Sequence, residues 1–258
     1  MFVFRVVIMK TKAILVAGGK GSRLYPFTRY TQKTLLPLYK RPVIDYALGT
    51  IRRGGIRRIT IISNEHIGHI AKHVGQSMEG EQIHYVLEEE PQGVAQALLL
   101  ARPHNEDCRL MIYFSDNITT VEFEDLVQEF KQAKQPPGCL LLAREEANPQ
   151  AFGVAVLDEE GKIIDVVEKP VNPPSNLAIG GIYLFDETFW NKLDDAVQEK
   201  GNAFSISDIN RAYIAEGKAN FVSVGAETWV DCGTPETLLQ ASIMAKDGKL
   251  NPHPYRKR

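Results

Sequence analysis

From Gly18 the chain reads Gly-Gly-Lys-Gly-Ser-Arg-Leu-Tyr-Pro-Phe-Thr, and from Lys33 it reads Lys-Thr-Leu-Leu-Pro. Glycines at 18, 19 and 21 let backbone N–H groups approach phosphate oxygens with no Cβ in the way, and Arg23 and Lys33 add fixed positive charge. Such a loop can wrap a triphosphate. Two commoner nucleotide loops are excluded. Gly19-Lys-Gly21 is followed by Ser-Arg-Leu24, so the third glycine of the dinucleotide fingerprint is missing. Gly19-Lys20 is followed by Gly21 rather than the Ser or Thr of a P-loop. Three glycines alone would read as a turn; Arg23, Pro26, Thr28, Lys33 and Pro37 at these offsets favour the phosphate loop. A second constellation, Arg109-Leu-Met-Ile-Tyr-Phe-Ser-Asp116-Asn117, ends an apolar run in an acid. That places Asp116 at the carboxyl end of a central strand, where open α/β sheets put their ligands. Mg²⁺ takes one or two protein carboxylates and fills its other positions with water and phosphate oxygens, so one aspartate is half a site.

These residues need a frame to hold them. Residues 13–16 are small or branched and apolar, as in a strand covered on both faces. Further strands are expected at 58–63, 83–87 and 109–114, with helices at 43–53, 67–78, 94–101 and 122–134. That alternation implies an α/β fold with a mostly parallel central sheet flanked by helices. Strands at 138–144, 153–157, 163–168 and 178–185 follow, with a turn at Asp158-Glu-Glu-Gly161, and helices at 187–198, 207–216 and 234–245. No internal repeat or low-complexity linker is present.

G-x-G-x-R-L-x-P-x-T followed by K-x-L-L-P resembles the opening of the sugar-1-phosphate nucleotidyltransferases, most closely the short glucose-1-phosphate thymidylyltransferases, and the likeness runs from about Lys12 to about Lys246. The resemblance implies a Rossmann-like fold of the GT-A type with a small sugar-binding subregion. Residues 1–11 would be an extension, 12–246 one domain with a nucleotide part (12–135) and a sugar part (136–246), and 247–258 a tail. It implies an activity: a nucleoside triphosphate and a sugar 1-phosphate give an NDP-sugar and pyrophosphate, with Mg²⁺ bound. By the same resemblance, Ala17, Gly18, Gly19, Gly21, Ser22, Arg23, Glu88, Gly93 and Asp116 bind the nucleotide. Asp231, in Glu227-Thr-Trp-Val-Asp-Cys-Gly-Thr234, joins Asp116 on the metal. Glu168 of Glu168-Lys-Pro170 holds sugar hydroxyls, Lys169 contacts the sugar phosphate, Gly153 and Ile179 line the hexose pocket, and Asn117 and Asn176 complete it. Arg23, Lys33, Asp116, Lys169 and Asp231 form the catalytic set. The chemistry is consistent: a carboxylate accepts from hydroxyls, and a phosphate attacking a phosphate needs a cation between them.

Two positions depart from the thymidylyltransferase pattern. Glu88 stands where those enzymes usually carry glutamine, whose amide accepts from the pyrimidine N3–H and donates to O4; an ionised glutamate keeps only the first bond. Glutamate suits two adjacent donors, as on guanine, and guanylyltransferases of this superfamily resemble the chain at Glu88, Pro91 and Gly93. Thymidine or uridine triphosphate is expected first, GTP close behind, with Glu88 as part of a solvated acidic run the bland alternative. Ser205 replaces an acid of the glucose-type Glu-Leu-Glu-Ile-Thr-Asp segment, so the hexose need not be glucose; a mannose- or heptose-type acceptor belongs with the GTP reading. Cys232, where threonine is usual, is expected to be a small packed residue. A non-catalytic NDP-sugar-binding regulator is the alternative of another class.

Composition sets further bounds. A chain of 258 residues, 44% hydrophobic and 24% charged, can bury a core. The net charge of −2, with signs interspersed, does not advertise nucleic acid, and the basic Arg256-Lys-Arg258 reads as a solvated terminus. No stretch is long and apolar enough for a bilayer. Met1–Ile8 is too short for a signal region, and Met9 is the expected start. Cys108, Cys139 and Cys232 form no Cys-x-x-Cys pair, which fits a reducing compartment and a cytoplasmic location. His66, His69 and His73 share helical spacing, but no acid or cysteine completes a metal geometry, and a solvent-facing helix edge is expected. The family commonly forms dimers or tetramers, so a homo-oligomer is implied. Longer thymidylyltransferases carry a C-terminal helical segment for an effector site, and no such feedback site is expected here.

Overall fold

The structure is a computed structural model, which describes residues 10–75, 80–132, 137–225 and 228–250. In chain order its elements are β1 (Thr11–Val16), β2 (Pro37–Leu38), β3 (Arg41–Pro42), α1 (Val43–Arg53), β4 (Arg58–Ser63), α2 (Ile67–Val74), β5 (Gln82–Leu87), α3 (Val94–Ala101), β6 (Arg109–Phe114) and β7 (Asn117–Thr119). Then come α4 (Phe123–Gln132), β8 (Cys139–Glu145), β9 (Gly153–Leu157), β10 (Ile163–Glu168), β11 (Leu177–Phe185), α5 (Phe189–Lys200), α6 (Ile206–Ala215), β12 (Ala219–Ser223), β13 (Trp229–Asp231) and α7 (Pro235–Lys246).

The central sheet has nine strands, in the order β10-β9-β11-β6-β1-β4-β5, with β8 on β11 and β12 on β8. β1, β4, β5, β6, β8, β9 and β12 run one way, and only β10 and β11 oppose them. The sheet is therefore mixed and mostly parallel, as the alternating pattern predicts. β1 shows why its residues from Ala13 to Val16 are apolar. Ala13 and Leu15 enter one core layer, with α1 and α4, while Ile14 enters the other, with α3 and α5. Where the strand is covered on both faces it leaves no position for a polar side chain, and its polar residues, Thr11 and Lys12, stand at its less buried start. The first half of the sheet places the carboxyl ends of β1, β4, β5 and β6 along one edge, where both phosphate loop and Asp116 emerge.

Helix ends follow local signals. Ser205 and Asp208 form a capping box at α6, and Thr234 and Thr237 one at α7. α2 stops at Val74 because Gly75 takes φ 76°; the rest of the expected 67–78 helix, like the last two residues of the 122–134 helix, lies outside the described residues. So do the tail arginines and the suggested start at Met9. The expected turn closes β9 on β10, with Gly161 at φ 80° and the Lys162 N–H donating to Asp158 Oδ1 at 2.8 Å. Sequence periodicity missed β2, β3, β7, β12 and β13. Two of these span three residues each, too short for an alternation to register, and they pair as a separate ribbon, Trp229↔Thr119, Val230↔Ile118 and Asp231↔Asn117. Among the described residues, no helix is long and apolar enough to cross a membrane.

Candidate active site

The glycine loop leaves β1 at Ala17, whose N–H donates to Ile62 O at 2.8 Å. Gly21 turns it with φ 60°, and a Cβ there would meet Thr28 Cγ2 at 2.8 Å. The Thr28 hydroxyl donates back to Gly21 O at 2.8 Å. A 3-10 turn, Ser22–Leu24, then buries Leu24 and points Arg23 across the site. Its guanidinium and the Asp231 carboxylate both crowd Gly233, where a Cβ would lie 2.7 Å from Arg23 Nη2 and 2.6 Å from Asp231 Oδ1. Lys33 begins a third 3-10 turn, Lys33–Leu35, and pairs through Nζ with Asp116 Oδ2.

Asp116 and Asp231 are distant in sequence and adjacent in space. The β7–β13 ribbon sets Asp231 opposite Asn117, and the Cys232 N–H donates to Asp116 O at 2.8 Å. Asn117 acts as a bracket: its Nδ2 donates to Asp116 Oδ1 at 3.0 Å, while its Oδ1 accepts from Trp229 Nε1 at 2.8 Å and from the Gly181 N–H at 3.3 Å. A Cβ on Gly180 would fall within the Trp229 indole. Gly180→Ala is therefore expected to lower unfolding stability by about 1–3 kcal/mol, read as a drop in the urea midpoint at constant m.

Asp231 Oδ1 is buried and has no hydrogen-bond partner. Its carboxyl titrates above the ordinary aspartate range, because burial and then the negative Asp116 disfavour the charge more than Lys33, Arg23 and Arg144 favour it. A buried carboxylate oxygen with no donor, beside a second carboxylate and an open cavity, fits a hard divalent cation that takes its remaining ligands from water and phosphate. Among the described residues, no group of three His, Cys, Asp or Glu side chains could hold a metal unaided. His73 Nε2 instead contacts Asp45 Oδ1 at 2.7 Å, and His66 stacks with His69. Cys232 is fully buried and its thiol is pushed up, first by burial and then by Asp116, the behaviour of a packing residue.

Two cavities meet at Asp116. The first, about 200 Å³, is lined by Ala17, Gly18, Gly19, Lys33, Glu88, Gly93 and Asp116 among others; Gly21, Ser22 and Arg23 lie outside its lining, on the adjoining turn. Glu88 is only 3% exposed. Its N–H donates to Ser63 O at 2.8 Å, and its carboxyl presses on Gly18, which has no room for a Cβ. Glu89 and Glu90 are solvated, so the bland acidic-run reading describes them and not Glu88. Burial raises the Glu88 pKa, and a hydrogen bond from the Gln92 backbone lowers it by less.

The second cavity, about 210 Å³, is lined by Asp116, Asn117, Gly153, Glu168, Lys169, Ile179 and Asp231, with Phe152, Tyr183 and Ile206 as apolar wall. The Ser207 hydroxyl donates to Glu168 Oε2 at 2.7 Å, and Gly153 leaves space for both groups. Lys169 holds φ 43°, and its ammonium reaches Glu168 Oε1 at 3.6 Å. Asn176 does not line this cavity. Its side chain is exposed, and its carbonyl accepts from the Glu146 N–H at 2.9 Å, where β8 pairs with β11. Ser205 is likewise spent on capping α6. Gln32, Ser207 and Trp229 bind the site residues without having been singled out by motif, since each acts through a contact distant in sequence.

A mostly parallel sheet with a glycine loop, paired acids and two cavities at its carboxyl edge defines a nucleotide-sugar transferase architecture. The nucleotidyl transferase family model matches residues 12–248, and the chain belongs to that family. Glucose-1-phosphate thymidylyltransferase of Neisseria meningitidis is 34% identical over 90% of this chain and 81% of its own length. The low-salt glycan biosynthesis nucleotidyltransferase Agl11 of Haloferax volcanii is 31% identical over 92% of this chain and 67% of its own length. A crystal structure from Bacillus anthracis, assigned as a glucose-1-phosphate thymidylyltransferase and solved with a sucrose, superposes with a TM-score of 0.86 at 33% identity, over 92% of this chain and 96% of that one. A UDP-glucose pyrophosphorylase bound to UDP-glucose shares the fold, with a TM-score of 0.80 at 22% identity over 93% of this chain and all of its own. The chain is thus a sugar-1-phosphate nucleotidyltransferase.

Proposed function

We propose that the chain transfers a nucleotidyl group from thymidine or uridine triphosphate to a hexose 1-phosphate in a Mg²⁺-dependent reaction that releases pyrophosphate. The observation that carries this reading is that Asp116 lines both cavities, with the glycine cradle on one side and Glu168–Lys169 on the other. A phosphoryl acceptor held in the second cavity faces the α-phosphate of a nucleotide held in the first. Its oxygen forms a bond to the α-phosphorus as the bond to pyrophosphate breaks, and no proton need move, because a phosphate dianion is already nucleophilic.

The chain's own groups then have separable tasks. Glu168 accepts from sugar hydroxyls, with Ser207 fixing one of its oxygens. Lys169 draws the incoming phosphate forward. Arg23 and the amides of the glycine loop hold the departing pyrophosphate, and Lys33 offsets charge beside the reacting phosphates. When bound, Mg²⁺ would supply Lewis-acid charge at the triphosphate, held by Asp116 and Asp231.

A second reading, a GTP-dependent enzyme acting on a mannose- or heptose-type phosphate, draws support from the buried Glu88 carboxyl in the lining of the first cavity. The test is a matrix of dTTP, UTP, GTP, CTP and ATP against glucose, mannose and heptose 1-phosphates, read as pyrophosphate released with and without a chelator. Chelator-sensitive release with dTTP or UTP is the expected result. Release with GTP alone selects the second reading, and none with any pair overturns both.

A further inference from the structure

The carboxamide of Gln32 is 2% exposed, close to the phosphate loop. A buried amide persists only where its bonds are made, and here they join three separate segments. Oε1 accepts from the Lys33 N–H at 2.6 Å, capping the 3-10 turn that begins there. Nε2 donates to Ala17 O, with Ser63 Oγ at 3.2 Å and Asn64 Oδ1 at 3.4 Å. The Ser63 hydroxyl also donates to Ala17 O, at 3.1 Å. The end of β1, the end of β4 and the Lys33 turn are therefore clamped by a single side chain.

Two consequences meet at this clamp. Ala17 opens the glycine cradle, and Lys33 carries the ammonium that contacts Asp116. The rise from Ala17 to the Lys33 backbone is thus spanned by one carboxamide rather than by packing alone. We propose that Gln32 is a positioning residue that sets Lys33 in register with the phosphate cradle and so governs turnover through Lys33. This rests on the reading in which Lys33 faces the reacting phosphates. Misplacing a charged group by about 1 Å can cost about 100-fold in rate, and methionine at 32 keeps the length and loses every hydrogen bond.

The test is a double-mutant cycle in pyrophosphate release. Gln32→Met is expected to lower kcat by about 10- to 100-fold while KM for the sugar 1-phosphate changes less than about twofold. In a Lys33→Ala background, itself slowed, adding Gln32→Met is expected to change kcat by less than about twofold, since the two act as a unit. Equal losses in both backgrounds would overturn the inference and leave the reading of the site standing. A Lys33→Ala enzyme with full turnover would overturn both. Gln32→Asn, polar but one methylene short, supplies the same cycle if the methionine variant does not fold, and near-ultraviolet circular dichroism verifies folding of each.

Discussion

Replacing Asp231 with alanine is expected to lower pyrophosphate release by on the order of 10²–10³-fold while leaving the apo protein as stable as before, or more so. The two effects part because the carboxylate is costly to the fold and, in the role proposed for it, useful to the reaction. Its Oδ1 is buried without a donor, and Asp116 adds repulsion. An acid whose pKa is raised by folding weakens the native state as pH climbs from its unfolded value through its folded one. At neutral pH the alanine chain escapes that burden, though it loses some packing. Thermal melting with and without Mg²⁺ and triphosphate checks this. The wild type is expected to gain stability from the pair, since a ligand that binds only the native state stabilises it, and the variant is expected to gain far less. A variant that melts well below the wild type yet keeps its turnover would show Asp231 to be a structural residue.

Glu88→Gln is expected to move kcat/KM toward dTTP and UTP, relative to GTP, by about 5- to 150-fold, the span that 1–3 kcal/mol on one buried polar contact produces. An ionised glutamate offers two acceptors, which match the adjacent N–H donors of guanine. Glutamine offers one acceptor and one donor, which match N3–H and O4 of a pyrimidine. The same substitution is expected to stabilise the fold increasingly as pH rises above about 4.3, the unperturbed glutamate value, because only the wild type carries a carboxyl that burial makes harder to ionise in the folded chain than in the unfolded one. The difference in melting temperature between the two proteins, followed from acid to neutral pH, is the measurement. A preference unchanged among the three nucleotides would remove Glu88 from base reading.

The half of this site built on the glycine loop was legible because its determinants are local. Gly18 to Pro37 is one continuous segment, and Asp116 ends an uninterrupted apolar strand, so type and spacing alone place them at the carboxyl edge of the sheet. The second half resisted for a physical reason. β13 is three residues long, and its pairing partner β7 is equally short, so neither shows an alternation, and the juxtaposition of Asp231 with Asp116 came from family resemblance. Gln32, Ser207 and Trp229 work through partners that the fold alone brings near, and an amide, hydroxyl or indole in a sequence says nothing about whom it will bond. Glu88 lay between these cases: the letter was conspicuous, but only the burial that the neighbouring glycine permits separates it from the two solvated glutamates beside it.

The ribbon that joins Asn117 to Asp231 also bears on how the enzyme comes into being. Strands β1, β4, β5 and β6 leave the ribosome early and can associate among themselves, whereas the partner of β7 is synthesised near the end of the chain. On the proposed role of Asp231, catalytic competence is a late property of biosynthesis: the glycine loop and Asp116 are synthesised well before the carboxylate that joins them.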